Sequence, residues 1–475
     1  MQRLVAVIAL VLPLGLWAQT AEVRTYGASG DDQLVELRET DSGYVLAGTT
    51  ASSPGADTDF YLLTLDQDLN VAWSQTFGAG GVDQCTGLDR NAAGECFLSG
   101  YTNDTPAGDY DASVIKTDAL GVKLWEAHFG GPDWDLESDV VALDDGGFAL
   151  LFTSYTVDQG TDLILLRGDT DGNPVWEITL GDAFNQTAHV LTLGPSGELV
   201  VGGTWAIGEE LDSERAWMAT FDLEGNPIAE GFFGEVRTAL FDAHAYQDGV
   251  AAVGYYTGPD GDRDHYVLKA NPDLSLAWIR LDGDPDDDVF YGITPIDTGL
   301  ITVGSGNGYG AGGYAAIVHQ RTLSGWWVES ANFGPDKDEV AYDVIVDSAG
   351  RTVVCGSSDS YAEFGDLDGY LIRFEGTVLP DEFELEELDV EDGTLDVLDL
   401  EALGIHMCTS SSGDRMLHAA DLRTFRVVVT DLRGNLLYDA SQAGVHRVPL
   451  SGWAAGMYAV RVMAGHQMGT AVWAR

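Results

Sequence analysis

Across residues 22–376, short apolar runs alternate with polar turns, and the runs return in the same order about every fifty residues. A unit opens on an aromatic-Gly pair such as Phe129-Gly130, followed six residues after the Phe by an acid, Asp135. A Gly-led run such as residues 43–48 (GYVLAG) comes next, and then an Asp-led run such as Asp59–Asp66 (DFYLLTLD). The Asp-led run opens near Asp59, Asp111, Asp162, Arg215, Asp264, Gly313 and Asp368, at spacings of 49 to 55 residues, which makes seven copies. In Asp59–Asp66 both alternating faces are apolar, so this strand is expected to be covered on both sides. Turns such as Asp169-Thr170-Asp171-Gly172-Asn173 separate it from a fourth strand that carries the aromatic-Gly pair. Four short antiparallel strands repeated at this period predict an all-β, seven-bladed β-propeller with blades stacked face to face.

The ends of the array predict how the ring closes. The first copy opens on the aromatic-Gly element at residues 22–27, while the last copy stops after its third strand near Phe374. Each end lacks what the other holds, so residues 22–27 are expected to form the outermost strand of the seventh blade. Trp73, Trp125, Trp176, Trp278 and Trp327 precede the aromatic-Gly element in five copies, with Ala229 at the place in the fourth. Their recurrence points to packing between blades rather than to a ligand platform. The aromatic itself is replaced by Leu180 in one copy and by Asp282 in another.

Composition adds destination and excludes some partners. Residues 1–18 hold one early positive charge, Arg3, and an apolar stretch, with Ala18 before Gln19, the pattern of a signal peptide cleaved between those two. No later stretch reaches about 18 uninterrupted apolar residues, so no stable membrane span is expected. The 23 Lys and Arg against 77 Asp and Glu leave a net charge of -54, the wrong sign for nucleic acid or an anionic membrane surface. An acidic solvated surface accounts for this charge. From 381 to 401 there are eleven acids and no base, whereas 402–475 holds seven Arg and four Asp, and the break marks a domain boundary. The organisation read from the chain is a signal peptide (1–18), a propeller (19–376), an acidic linker (377–401) and a C-terminal β-sandwich domain (402–475, with a start as early as 395).

The repeat, with its clearest passage at residues 44–50 (YVLAGTT), resembles that of bacterial extracellular propellers built on FGG, DGGY, GTT and DYLLKLD phrases. In the C-terminal segment, residues 425–435 (FRVVVTDLRGN) and 449–462 (PLSGWAAGMYAVRV) are similar to the sorting domain of proteins exported by the type IX secretion system of Bacteroidetes-type bacteria. Asp431, Gly434, Gly456 and Tyr458 stand at the recurrent positions, whereas the Pro-Asn-Pro passage that often opens such domains is absent. The resemblance implies the type IX machinery as a partner, and release from, or attachment to, the outer-membrane surface of a Gram-negative bacterium.

Candidate chemistry is sparse. The acids at Asp59, Asp111, Asp162, Asp264 and Asp368, and at Asp32, Asp83 and Asp135, recur in register; a catalytic carboxylate is needed once, so they read as structural hydrogen-bond acceptors. His128, His189, His244, His265 and His319 occupy unrelated places in their copies and show no metal-binding spacing. GxSxG, P-loop and CxxC motifs are absent, and no catalytic or cofactor-binding residue is assigned. Asp260, Asp262, Asp264, Asp286 and Asp288 put oxygens at alternate positions and are the calcium candidates, without the twelve-residue loop and closing Glu of an EF-hand. Cys85 and Cys96 fall on the first two strands of one copy and are the disulfide candidate.

These features lead to the expectation of a secreted or surface-displayed, non-catalytic propeller that binds or scaffolds an extracellular protein or glycan. The alternatives are an extracellular lyase or glycosidase with its site in a blade-specific loop, and a calcium-dependent adhesion component. Function is expected where the phrase breaks, at Ala229 and Asp282 among other places.

Overall fold

A computed structural model of the chain describes residues 8–11, 20–374 and the strand segments between 405 and 474. Within the ring the loop residues 28–29, 52–57, 106–108, 157–159, 209–212, 235–236, 259–260, 284–285, 308–312, 334–336 and 361–366 are not among them. The chain divides into two compact units, Met1–Asp381 and Glu382–Arg475.

Each copy of the repeat folds as a four-stranded antiparallel sheet whose strands lie in chain order, as in the first blade: Asp32–Thr40, Gly43–Thr50, Asp59–Asp66 and Val71–Phe77. Seven such blades form a ring. Their first strands are Asp32–Thr40, Asp83–Arg90, Asp135–Ala142, Gln186–Leu193, Thr238–Tyr246, Asp288–Ile296 and Glu339–Val346. Each contacts the next, the last meets the first, and together they wall the central channel. The seventh blade takes its fourth strand from Thr20–Tyr26, which runs antiparallel to Asp368–Phe374 with Val23 opposite Ile372 and Tyr26 opposite Gly369. Ile8–Val11 pairs outside it as a fifth strand.

Stacking explains the apolar pattern. In Gly43–Thr50 all eight residues are buried, because a middle strand is covered by neighbouring blades on both faces. The outer strand Val71–Phe77 is mostly exposed until its terminal Phe77. The Gly after that Phe is demanded by close approach: a Cβ on Gly78 would lie 2.0 Å from Asp59 Oδ1 and 2.6 Å from Asp83 Oδ2. The recurrent acids thus close over the aromatic-Gly element, and Gly131 donates its amide to Asp135 Oδ2 at 2.8 Å. At the opposite ring face Asp66, Asp169 and Asp222 accept two amides each from the turn between third and fourth strands, the role expected of a turn aspartate.

Tryptophans lock one blade to the next. Trp73 lies over Gly121 and Trp278 over Gly325, where an added Cβ would sit 2.4 and 2.3 Å from the indole, and both glycines have positive φ. Trp125 and Trp176 also donate Nε1–H to turn carbonyls of the following blade, those of Thr170 and Leu223. Where the outer strand lacks the indole, at Ala229, the facing turn carries Leu274 in place of Gly, at φ 56°. The leucine is buried and packs in the same cluster as Ala229, so its side chain takes the room an indole occupies elsewhere. Trp327 departs from the expected register: it pairs with Arg321, two residues short of the tryptophan position, which Glu329 occupies opposite Gln320.

Cys85 and Cys96 do not form the expected disulfide. The hairpin register sets Cys85 opposite Gly100 and Cys96 opposite Arg90, at opposite ends of the ladder, and both are buried free thiols, as is Cys355. Burial pushes the Cys85 and Cys355 thiols far above the usual range and Cys96 up to about 11, so all three are inert hydrophobes at neutral pH.

The C-terminal unit contains two antiparallel sheets. Ile405–Thr409, Arg415–Ala419 and Val445–Val448 form one; Leu436–Ala443, Thr424–Asp431, Met457–Ala464 and Gln467–Ala474 form the other. Asp431 and Tyr458 are direct cross-strand partners. Gly434 and Gly456 lie outside the described residues, as do Ala18, Gln19 and the acidic linker.

Candidate functional site

Three places in the ring depart from the repeat: the channel wall, the cleft between the third and fourth blades, and the interface between the fifth and sixth. The channel wall arises from a β-bulge that all seven first strands share near mid-strand. The bulge re-aims side chains toward the bore. Just after it stand Glu36, Asp139, Asp242 and Asp343, in the first, third, fifth and seventh blades. The carboxylates of the last three reach the following blade: Asp139 Oδ2 accepts from Leu191 N–H, Asp242 Oδ2 from Ile293 N–H and Asp343 Oδ2 from Leu37 N–H, at 2.8 to 2.9 Å. Arg38 bridges Glu36 at 2.7 Å, Asp343 at 3.2 Å and Asp89 at 3.5 Å, placing one cation among five acids. Above the acids, His189, Phe241, Tyr291 and Tyr342 occupy the bulge position of four successive blades with ring centroids 4.8 to 5.6 Å apart.

Burial pushes Asp139 and Asp242 up to about 7, outweighing the amides that each accepts. The folded state therefore holds these protons more tightly than the unfolded chain, whose Asp titrates near 3.9. Stability is expected to fall as pH rises from about 4 to about 7 and to flatten above it. Asp139→Asn with Asp242→Asn keeps an oxygen for the inter-blade amides and removes the charge. Denaturant melts of this double variant should lose that slope and be at least as stable as the parent at pH 8; an unchanged slope would assign it to other groups.

The phrase breaks at five places in and beside the fourth blade. Leu180 from the third blade replaces the aromatic, and Gln186, Trp205, Arg215 and Ala229 replace the usual Asp, Ser or Thr, Asp and Trp. The result is an open cleft of about 510 Å3 along the outer part of the interface between the third and fourth blades. Ile178 and Leu180 line one side, and Trp205, Trp217, Phe221 and Glu230 the other. The two indoles lie 4.9 Å apart, Trp217 fully buried and Trp205 half-buried. Carboxylates orient both: Trp217 Nε1–H donates to Glu230 Oε1 at 2.9 Å and Trp205 Nε1–H to Asp182 Oδ2 at 3.1 Å. Glu230 keeps further lone pairs for outside donors, whereas Asp182, whose Oδ1 also accepts from Phe184 N–H and Gln186 Nε2–H, keeps one on Oδ2.

Between the fifth and sixth blades a polar cluster replaces packed aromatics. His265 and Asp282 are cross-strand partners at the register that holds Phe60 and Phe77 in the first blade. From the sixth blade come His319 and Arg321, at the register of Leu63 and Leu65. Arg321, 1 % exposed, grips Asp282 with two hydrogen bonds of 3.0 and 2.8 Å and donates to Thr302 Oγ1 at 3.2 Å. The ligand atoms of His265, Asp282 and His319 all lie within 4.8 Å of one another. The sequence separates the two histidines by more than one repeat, and only blade stacking brings them together.

The calcium candidates do not gather in this way. Asp264 is the second residue of the third strand of the fifth blade, Arg263–Ala270, and Asp288 is buried at the start of the sixth blade, while the Asp262 carbonyl accepts from Gly258. Asp286 is exposed and Asp260 lies outside the described residues. Asp287, unassigned from sequence, ties the loops by accepting the Arg263 amide at 2.9 Å. His189 and His244 face the channel, and His128 stands on an outer strand.

No known protein-family model matches the chain, and no curated protein sequence matches it. Solved structures are similar to it at low identity. The β-propeller domain of the Trilobed protease from Pyrococcus furiosus is 10% identical with a TM-score of 0.45, over 74% of this chain and 95% of that one. A putative 6-phosphogluconolactonase from Bacteroides uniformis is 14% identical, TM-score 0.42, over 70% and 97%. Sqt1 from Chaetomium thermophilum is 12% identical, TM-score 0.40, over 74% and 97%.

Proposed function

We propose that this chain is an exported, non-catalytic β-propeller that binds a neutral glycan in the cleft between its third and fourth blades. The observation that carries this reading is the cleft itself: a cavity of about 510 Å3 with an indole floor and carboxylates at its edge, made by the blade that departs furthest from the repeat. That volume lies within the range of small-ligand sites. The half-buried Trp205 offers a ring for stacking, and Glu230 and Asp182 are acceptors for sugar hydroxyls. A chain of net charge -54 repels anionic ligands, which favours a neutral one.

Export rests on the N-terminal and C-terminal passages. Cleavage between Ala18 and Gln19 would remove Ile8–Val11 and leave Thr20–Tyr26 as the outer strand, giving the seventh blade the four strands of the other six. The cross-strand pair of Asp431 and Tyr458 joins two of the sorting-motif positions and supports the C-terminal unit as a type IX export domain, with delivery to the bacterial surface or medium. The regular spacing of 49 to 55 residues leaves little chain for the long insertions of an enzyme pocket, which supports a non-catalytic role.

Titrating neutral oligosaccharides against indole fluorescence tests the site. The parent is expected to respond, and Trp205→Ala to weaken binding by at least about tenfold while the ring still unfolds cooperatively. Equal binding by parent and variant, or no response to any neutral glycan, would sink the reading.

A further inference from the structure

We propose that His265, His319 and Asp282 form a binding site for a divalent transition-metal ion of the zinc class, at the interface of the fifth and sixth blades. The site is separate from the glycan cleft and independent of it. Four observations carry the inference. His265 is fully buried, and neither of its ring nitrogens has a hydrogen-bond partner. A buried imidazole without partners forfeits free energy that a bound ion would restore. Its ring is held in place by stacking on Phe290 at 3.8 Å and 13°, so the nitrogens are presented in a set direction. The second ligand, His319, places Nδ1 3.8 Å from Asp282 Oδ2, and all three ligand atoms fall within 4.8 Å. Tetrahedral coordination at about 2.0–2.1 Å asks for ligand atoms roughly 3.4 Å apart, a closure that small side-chain rotations supply. Lastly, the Asp282 side chain is 20% exposed, so water can reach the fourth position.

The donor set selects the class of ion. Two neutral imidazoles and one carboxylate suit zinc, cobalt, nickel or copper, whereas calcium and magnesium require more oxygens than the cluster holds. Desolvation keeps both histidines below their ordinary values, so both are uncharged at neutral pH; the His319 Nδ1 lone pair accepts a long 3.5 Å contact from Arg321 Nη2, which a bound ion would replace. Arg321 engages both oxygens of Asp282, one hydrogen bond to each, and leaves a second lone pair on each oxygen. It acts as a positioning residue that orients the carboxylate, and its charge lowers the affinity below that of a site with no neighbouring cation.

Cobalt(II) added to chelator-stripped full-length protein provides the test. The parent is expected to bind one equivalent with visible d–d absorption, displaced by zinc. His265→Phe and His319→Leu, which install the residues of the first blade at the same register, are expected to lose at least about tenfold in affinity. A parent that binds no cobalt, or variants that bind it equally, would overturn the site. Broadening of the His265 and His319 ring resonances by cobalt in the unmodified protein gives the same answer without any variant, and undisturbed resonances would refute the proposal even if the variants fail to fold.

Discussion

A chain lacking residues 19–27 is expected to lose the cooperative unfolding of the ring, or to melt far below the parent. Thr20–Tyr26 is the only covalent element that carries the N-terminus to the last blade among the described residues, and its Ala21, Val23 and Tyr26 are buried. Tyr26 also donates its hydroxyl to the Leu69 carbonyl of the first blade, so the strand joins both sides of the seam. Exposing these side chains costs on the order of 5 kcal/mol, before counting the ladder bonds to Asp368–Phe374. That is comparable to the whole stability of many domains. Thermal melts followed by far-UV circular dichroism would decide, and a midpoint within a few degrees of the parent would mean that the ring is closed by other contacts.

Arg321→Leu is expected to cost about 3 kcal/mol, although leucine is the residue of the first blade at that register. The loss comes from Asp282, left without its counterion inside the interface. Burial pushes the Asp282 carboxyl up, but Arg321 and the neighbouring histidine outweigh it and hold the group far below the usual carboxylate range. A depressed folded value stabilises the protein above the unfolded value near 3.9, and this stabilisation is lost as pH falls below it. The variant should therefore differ most from the parent at neutral pH and converge with it toward pH 2. Adding Asp282→Phe to Arg321→Leu makes both facing residues apolar, as Tyr26 and Leu65 are at the same registers in the seam between the seventh and first blades, and is expected to recover most of the loss. A single variant as stable as the parent at pH 7 would show that the ion pair does not hold the two blades.

The ring was readable in the chain because each blade must bury the same faces. A middle strand covered on both sides needs the continuous apolar run of residues 43–48, and the aromatic-Gly element needs a glycine under two acids. Seven repetitions of these local demands reveal the period, even where Arg215 replaces the usual acid and where Ala315, two residues after the Gly313 expected from the sequence, stands at its register. The sites were only half readable. Leu180, Ala229 and Asp282 stand out as breaks because they violate a repeated residue, but a break does not name its neighbours. Trp205 and Trp217 meet Leu180 only through the stacking of two blades. The channel acids left no sequence signal, because a bulge in each first strand shifts the alternation of inward and outward residues. Even the tryptophan register holds in four blades rather than five, since Trp327 pairs two residues away from the others.

Sequence alone thus determined the strand order, the number of blades and the end that closes the ring, since periodic burial is a local property of each repeat. Which unlike residues face one another was decided only by the tertiary structure. His265 and His319 belong to different copies and become neighbours because one blade packs flat on the next. Their shared cluster with Asp282 and Arg321 is a property of that interface, and no spacing along the chain encodes it.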